Sequence, residues 1–227
     1  MTFDAGVPRL VLASASPRRR ELLGLLGLPF EVVPSGYDET LVDPSTVTPP
    51  EYVTQLARDK ALEVAGRMNG DALIIGADTT VVLDGQYLNK PTDAADAHRM
   101  LQALSGRPHK VYTGLCSVQA SAVVTDFAVT EVIFDTLTDD VITAYVATGE
   151  PLDKAGAYGI QGEALSFIPR IDGDYFNVVG LPLEYVRRML LPYFSGISSV
   201  PPQPTFPDPT LYGRAREHFG LSETSKS

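Results

Sequence analysis

The sequence predicts a mixed α/β fold, and two kinds of pattern support this. Short continuous apolar runs such as Ala72–Ala77 are typical of strands that are buried on both faces. Longer segments such as 51–68 carry the apolar spacing of a helix. No internal repeat at the period of a solenoid is present.

Local signals define where several of these elements begin and end. Ser16 and Pro17 are preferred at the N-cap and first position of a helix. Asp84-Gly85 is a hairpin signal, and Thr92 is the expected N-cap of a helix that ends before Gly106. The predicted strands are 10–13, 30–33, 72–77, 80–83, 86–88, 111–118 and 123–134. The predicted helices are 17–26, 51–68, 93–104, 138–148 and a last one ending near 191.

Composition excludes several classes of protein. The net charge of −10 would repel a nucleic-acid polymer at long range. No apolar run approaches the roughly 18 residues of a membrane span, and the N-terminus lacks the pattern of a signal peptide. The single cysteine, Cys116, excludes an internal disulfide and a cysteine-based zinc site. We therefore expect a cytoplasmic protein that binds neither a nucleic-acid polymer nor a membrane.

The C-terminal part has a different composition. The stretch SGISSVPPQPTFPDPT holds five prolines in sixteen residues, which is typical of an extended linker. We divide the chain into a domain over 1–194 and a partly flexible, proline-rich tail over 195–227. Within this tail, LYGRAREHFG could form one short helix.

Three arginines, at 18–20, begin the first predicted helix. A helix N-terminus carries partial positive charge and favours acids, as at Asp93 and at Asp139-Asp140 in two later helices. A bound phosphate would remove the conflict, because backbone N–H groups and guanidinium groups would point at the same anion. The alternative is that the three arginines are simply solvated.

Other polar residues occupy positions suited to chemistry, each with a simpler alternative. Asp78 follows a buried strand and could hold a divalent cation or activate water, or else only cap a turn. Lys60 lies on the apolar stripe of its helix, so it either reaches the rim of the core or enters a cleft. Lys90 in Asn89-Lys90-Pro91 is rigidly presented, or is an ordinary turn lysine. Gln161, in a glycine-rich run over 156–162, offers an amide that could recognise a base edge.

Other routes to catalysis have less support. The three histidines lack metal-ligand spacing, and the sequence contains neither a Walker loop nor a G-x-S-x-G motif. Cys116 lies within a predicted strand, where a small core residue is expected. The acidic pair Asp38-Glu39 is by itself only weak support for a site.

Several segments together resemble the Maf family of nucleotide pyrophosphatases. They are LASASPRRRELL, YVTQLARDKA, GADTTVVLDGQYLNKP, LSGRPHKVYTGL, and PLDKAGAYGIQG through NVVGLPL, and they cover about 9–193. The resemblance implies an elongated mixed β-sheet flanked by helices, in two lobes with a nucleotide-binding cleft between them. It also implies hydrolysis of a nucleoside triphosphate to the monophosphate and pyrophosphate, with a divalent cation such as Mg²⁺ or Mn²⁺.

The same resemblance assigns roles to particular residues. It implies that Asp78 is the catalytic carboxylate, as base or metal ligand, and that Asp38 or Glu39 helps to hold the metal. The phosphate-binding residues would be Ser14, Arg19, Lys60 and Lys90. The three positions that separate substrate subgroups hold Arg18, Thr79 and Gln161. These look like the set of the subgroup that prefers dTTP and UTP rather than 7-methyl-GTP.

We therefore predict an enzyme that acts on a small nucleoside triphosphate, standard or modified, with water attacking the α-phosphate. The long strands over 111–134 could support a homodimer. A different class of function is a nucleotide-binding regulator without turnover, for instance one acting in cell division. Such a regulator would keep Arg18, Arg19 and Lys60 yet tolerate the loss of Asp78. The presence of Asp78 and Lys90 favours the enzyme.

Overall fold

The computed structural model of the protein describes residues 7–68 and 71–204. These residues form two compact units. The first takes its residues from 7–68, 71–79, 112–129 and 176–202. The second takes its residues from 80–111, 130–175 and 203–204. Three long strands, at 72–83, 108–119 and 122–133, contribute residues to both units.

The strands and helices follow the order predicted from the sequence. The strands are β1 (Arg9–Leu12), β2 (Phe30–Val32), β3 (Ala72–Leu83), β4 (Gln86–Leu88), β5 (Pro108–Gln119), β6 (Ala122–Ile133) and β7 (Arg170–Asp172). The helices are α1 (Pro17–Gly24), α2 (Pro49–Arg67), α3 (Ala94–Leu104), α4 (Asp139–Ala147), α5 (Tyr175–Val179) and α6 (Leu183–Leu190). Short 3-10 turns include Glu39–Leu41, Glu150–Asp153, Ala155–Ala157 and Glu163–Phe167.

The seven strands form one mixed sheet, as expected. Its order is β2-β1-β3-β5-β6-β7, and β4 pairs with β3. Strand β1 is parallel to both β2 and β3, whereas β4 is antiparallel to β3 and β7 is antiparallel to β6. The pairing of β1 with β3 ends at Leu12 and Ile75. Strand β3 therefore continues past the end of its parallel neighbour, and this extension carries Asp78.

Helix α2 lies very close to the sheet in the first unit because two strand residues have no side chain. A Cβ atom on Gly76 of β3 would lie 2.2 Å from the carbonyl oxygen of Ala57. A Cβ atom on Gly114 of β5 would lie 2.2 Å from the carbonyl oxygen of Val53. Around this contact the core is built mostly from small residues, among them Ala61 and Cys116, which are fully buried. Such a close approach brings the next turn of α2 beside the residues that follow Gly76.

Two predicted boundaries were wrong. The strands expected at 72–77 and 80–83 are one continuous strand, β3, so Asp78 lies inside a strand rather than after one. The N-cap of α3 is Asp93 and not Thr92, because the Asp93 side chain accepts a hydrogen bond from the Asp96 N–H at 2.8 Å. The N-cap predicted at Ser16 is confirmed, and Thr138 is the N-cap of α4.

The proline-rich segment has no helix or strand over its described residues, 195–204. The short helix predicted for LYGRAREHFG falls on 211–220, which lies outside the described residues. The division of the chain at 194 stays a prediction. Within the described residues, no helix combines the length and apolar character needed to cross a membrane.

Candidate active site

A buried ion pair joins α2 to β3 in the first unit. The Lys60 ammonium lies 2.6 Å from Oδ1 of Asp78, and the two residues are only 9% and 7% exposed. Lys60 follows Ala57 by one turn, so the close approach of α2 at Gly76 carries its side chain to Asp78. The sequence left two alternatives for Lys60, and the structure buries it against a carboxylate instead of extending it to the surface.

A second carboxylate shares the same ammonium. Oε1 of Glu39 also lies 2.6 Å from the Lys60 nitrogen, although the Glu39 side chain is half exposed. Its neighbour Asp38 is exposed and accepts hydrogen bonds from the N–H and hydroxyl of Thr40, which is the role of a turn cap. Of the two acidic residues singled out in the sequence, Glu39 therefore contacts the Lys60–Asp78 pair through Lys60.

The ionisation of Asp78 reflects a balance of opposing effects. Burial raises the pKa of the Asp78 carboxyl above its usual value, while the charges of Lys60 and Arg19 act against this shift. The net result is a pKa above that of an ordinary aspartate. Such a carboxylate is a stronger base than an exposed one, which is the property that proton abstraction from water requires.

Arg19 is held inside the protein by four hydrogen bonds. Its guanidinium donates to the carbonyl oxygens of Gly180 and Ala77, both at 2.9 Å. It also donates to the hydroxyl of Thr79 at 3.0 Å and to that of Ser14 at 3.4 Å. Two of these acceptors, Ala77 and Thr79, flank Asp78 directly in the sequence.

These contacts explain why an arginine occupies the first turn of α1, which the sequence alone did not explain. The helix-dipole argument predicted an external anion, whereas the guanidinium uses four of its five N–H groups on protein oxygens. One N–H group is left over from these contacts, so a phosphate contact for Arg19 stays a prediction. Arg18 is half-buried, as Arg19 is, whereas Arg20 is exposed.

A short chain of hydroxyls orients Thr79. The Thr113 hydroxyl donates to the backbone oxygen of Asn177 at 3.1 Å. The 2.9 Å contact between the Thr79 and Thr113 hydroxyls is therefore donated by Thr79. Thr79 in turn accepts from Arg19. Sequence reasoning missed Thr113, and the available signal was a threonine within the strand predicted at 111–118.

The loop between β1 and α1 is ordered by its own serines. The Ser14 hydroxyl, which is buried, accepts from the Ser16 N–H at 3.2 Å as well as from Arg19. The Ser16 hydroxyl accepts from the Arg19 N–H at 3.4 Å, as an N-cap does. This loop follows the carboxyl end of β1, which is where parallel α/β sheets carry their sites.

Two predicted site residues, Lys90 and Gln161, belong to the second unit. Lys90 is exposed and follows Asn89, whose side-chain oxygen accepts from the Thr80 hydroxyl at 2.7 Å. The Asn89 backbone oxygen accepts from the N–H of Gly156, a residue with a positive φ of 70°. The end of β4 is thus tied to the glycine-rich loop. Gln161 is exposed in that loop.

The part of the chain that the structure describes contains no group of three or more His, Cys, Asp or Glu side chains suited to hold a metal ion. Asp78 and Glu39, which share Lys60, are the two predicted metal residues that meet a common cation. Roles for all these residues stay predictions.

The fold and this geometry place the chain among mixed α/β proteins whose polar site follows the carboxyl end of a parallel strand. Its sequence matches the family described as Maf-like protein over residues 9–192. The chain therefore belongs to the Maf family, and the resemblance seen in the sequence is confirmed.

Several relatives with about half of their residues identical to this chain are named dTTP/UTP pyrophosphatase. The protein of this name from Moorella thermoacetica is 55% identical to this chain, and the match covers 80% of this chain and 93% of the relative. The corresponding protein of Thermococcus onnurineus is 52% identical, covering 79% of this chain and 95% of its own. That of Bacillus cytotoxicus is 48% identical, covering 84% and 98%.

A solved structure of lower similarity also matches part of the chain. It is a nucleoside-triphosphatase / dITP/XTP pyrophosphatase from Mycobacterium abscessus. It covers 57% of this chain and 75% of its own, with 17% identity and a TM-score of 0.36. So weak a structural similarity carries no argument about function.

Proposed function

We propose that this protein is a nucleoside triphosphate pyrophosphatase that hydrolyses dTTP and UTP to the monophosphate and diphosphate. The observation that carries the reaction type is the Lys60 ammonium held between Asp78 and Glu39. The base preference is supported by relatives of 48–55% identity that are named dTTP/UTP pyrophosphatase and match over nearly their whole length.

Asp78 is the proposed general base, and its geometry indicates which oxygen acts. Oδ1 accepts from Lys60, so Oδ2 is the oxygen available to take a proton from water. Because burial raises the pKa of this carboxyl, the proton moves to it more readily than to an exposed aspartate. The water oxygen would attack the α-phosphorus, and pyrophosphate would leave.

Lys60 has two roles in this proposal. Before substrate binds, its charge offsets those of Asp78 and Glu39, which keeps a buried carboxylate ionised. A triphosphate carries about four negative charges, so the same ammonium can bind a phosphate oxygen when substrate arrives. Ser14, Arg19 and, from the second unit, Lys90 are further proposed phosphate contacts, on the strength of the family resemblance.

The residues present fit a divalent cation. Two carboxylate oxygens, from Asp78 and Glu39, already converge on one positive charge, and Mg²⁺ usually takes one or two carboxylates together with substrate phosphates. We propose Glu39 and Oδ1 of Asp78 as its protein ligands, which leaves Oδ2 of Asp78 to take the proton, whereas Asp38 is engaged as a turn cap. When bound, the cation would neutralise phosphate charge and polarise the phosphorus.

Recognition of the base is proposed for Arg18, Thr79 and Gln161. The Thr79 proton is committed to Thr113, so Thr79 offers a substrate only an acceptor oxygen and its methyl group. Modified pyrimidine nucleotides are proposed as further substrates, in keeping with a house-cleaning role. A cytoplasmic location and a homodimer stay predictions.

The test is release of pyrophosphate from a panel of standard and modified nucleoside triphosphates, with Mg²⁺, Mn²⁺ or EDTA. We expect metal-dependent turnover that is fastest on dTTP and UTP. Asp78→Asn should lower kcat by about 10³-fold while leaving nucleotide affinity within about threefold. Asp38→Asn, next to Glu39 but outside the Lys60 cluster, is the matched control and should keep most of the activity.

Different results would overturn different parts of the proposal. Orthophosphate and a nucleoside diphosphate as products would contradict attack at the α-phosphate. A preference for a methylated purine would keep the enzyme and remove the base assignment. Tight nucleotide binding without turnover, in folded wild-type protein and Asp78→Asn alike, would establish the regulator instead.

A further inference from the structure

We propose that Glu150 and Tyr145 are positioning residues for Gln161, and that they thereby set the selectivity of the enzyme for the nucleotide base. This inference rests on the proposed function, in which Gln161 contacts the base. The hydrogen bonds that support this inference all lie within the second unit, and they join the end of α4 to the glycine-rich loop.

Gln161 lies in a tight turn that is closed by a backbone hydrogen bond. The Gly162 N–H donates to the Gly159 oxygen at 3.0 Å, so Ile160 and Gln161 are the two central residues of the turn. Ile160 is only 3% exposed, whereas Gln161 is exposed. The buried isoleucine anchors the turn in the core and leaves the glutamine at the surface.

One carboxylate receives hydrogen bonds from both sides of this turn. On the near side, the Gly159 N–H donates to the Tyr145 hydroxyl at 3.2 Å, and that hydroxyl donates to Oε1 of Glu150 at 2.9 Å. On the far side, the Glu163 N–H donates to Oε2 of Glu150 at 3.1 Å. Gly159, directly before the two central positions, and Glu163, two residues after Gln161, are thus both fixed to the same group.

The two glycines of the turn make this arrangement sterically available. A Cβ atom on Gly162 would lie 2.2 Å from Oε1 of Glu150, and one on Gly159 would lie 2.7 Å from Cε of Lys154. Lys154 itself donates to the Glu150 backbone oxygen at 2.7 Å. The glycines are therefore needed for close contact with these side chains, rather than for flexibility of the loop.

The surroundings of the Tyr145 hydroxyl decide that it donates the hydrogen bond to Glu150. Burial, followed by the nearby Glu150 charge, raises the pKa of the Tyr145 hydroxyl, so it stays protonated and donates at any working pH. An anionic acceptor makes the bond charge-assisted and stronger than a neutral one. The position of Gln161 thus depends on a hydrogen-bond chain that has a single direction.

The experiment measures base selectivity as the ratio of kcat/KM on dTTP to that on dGTP. Tyr145→Phe removes the hydroxyl, and Glu150→Gln leaves one acceptor oxygen for two donors, the Tyr145 hydroxyl and the Glu163 N–H. Each should lower the ratio about tenfold, mainly through KM for dTTP, with kcat changed less than about threefold. In a Gln161→Ala background, neither substitution should lower the ratio further.

Controls separate positioning from general stability and from the proposed function. Tyr158→Phe removes another buried hydroxyl of the second unit, bonded to His109, and should leave the ratio unchanged. The ratio of equilibrium affinities for dTTP and dGTP is measured in EDTA as well. If the wild type binds nucleotide but does not turn it over, the proposed function is contradicted, and the affinity ratio still tests the inference. Unchanged selectivity in both folded variants, or an equal loss in the Gln161→Ala background, would overturn the inference.

Discussion

The carboxylates of Asp78 and Glu150 are both held by the protein, but by different kinds of partner. Asp78 is bound by the Lys60 ammonium and lies near the Arg19 guanidinium. Glu150 accepts from a tyrosine hydroxyl and a backbone N–H, both neutral. A cation bound to a carboxylate can be shared with an anionic substrate, whereas neutral donors fix a position without offering charge. The first arrangement suits chemistry, and the second suits the shaping of a loop.

The comparison predicts the largest effect at the cation. Lys60→Met leaves Asp78 buried without its partner, so we expect kcat/KM to fall about 100-fold and the free energy of unfolding to fall by about 3 kcal/mol. Because Lys60 lowers the pKa of Asp78, its loss should move the acid limb of the kcat/KM profile to higher pH. Urea unfolding measures the free energy of unfolding, and a pH–rate profile measures both kcat/KM and the position of its acid limb.

A double variant sharpens this prediction. In Lys60→Met/Asp78→Asn the unpaired charge is gone, so stability should return toward that of the wild type while activity stays lost. Stability that remains as low as in Lys60→Met would contradict the view that the uncompensated carboxylate causes the loss.

The second unit also contains a buried imidazole, that of His109, whose protonation by acid should destabilise the fold. Burial lowers the pKa of His109 from 6.5 to about 4, so the folded protein keeps this imidazole neutral. Between these values the unfolded chain binds a proton that the folded chain does not, and stability falls as pH falls. The full cost is about 3 kcal/mol, present below pH 4 and absent above pH 6.5.

Urea unfolding of wild type and His109→Leu across this range tests the prediction. The difference in stability between the two proteins should shift in favour of the variant as pH falls, because leucine cannot be protonated. Parallel pH profiles for the two proteins would mean that His109 is not the group responsible.

The smallest predicted effect concerns the Glu150 contact itself. Gly162 has a negative φ of −106°, and a Cβ atom added there would meet the Glu150 carboxylate. We expect Gly162→Ala to lower the free energy of unfolding by about 1–2 kcal/mol. Gly66→Ala in α2, where nothing lies within 4 Å, is the control and should stabilise by up to about 1 kcal/mol. Equal effects in thermal unfolding would argue against the contact.

Much of the fold was predictable because its signals are local. Helix α1 begins at Ser16-Pro17, and the hairpin at Asp84-Gly85 joins β3 to β4, as residue preferences indicated. The strand break predicted around 78–79 was wrong because polarity there was taken as the end of a strand. A buried polar residue can continue a strand when another segment supplies its partner, and sequence patterns do not include that partner.

The sequence by itself determined the fold class, the family, and the side chains that the proposed chemistry uses, among them Asp78 and Lys60. The spacing of apolar residues even placed Lys60 on the inner face of α2. Only the tertiary structure decided what these side chains touch. Glu39 meets Lys60, Arg19 donates to Gly180, and Tyr145 reaches Gly159 across 14 residues. Such contacts depend on which distant segments pack together, and local propensity and periodicity carry no information about that choice.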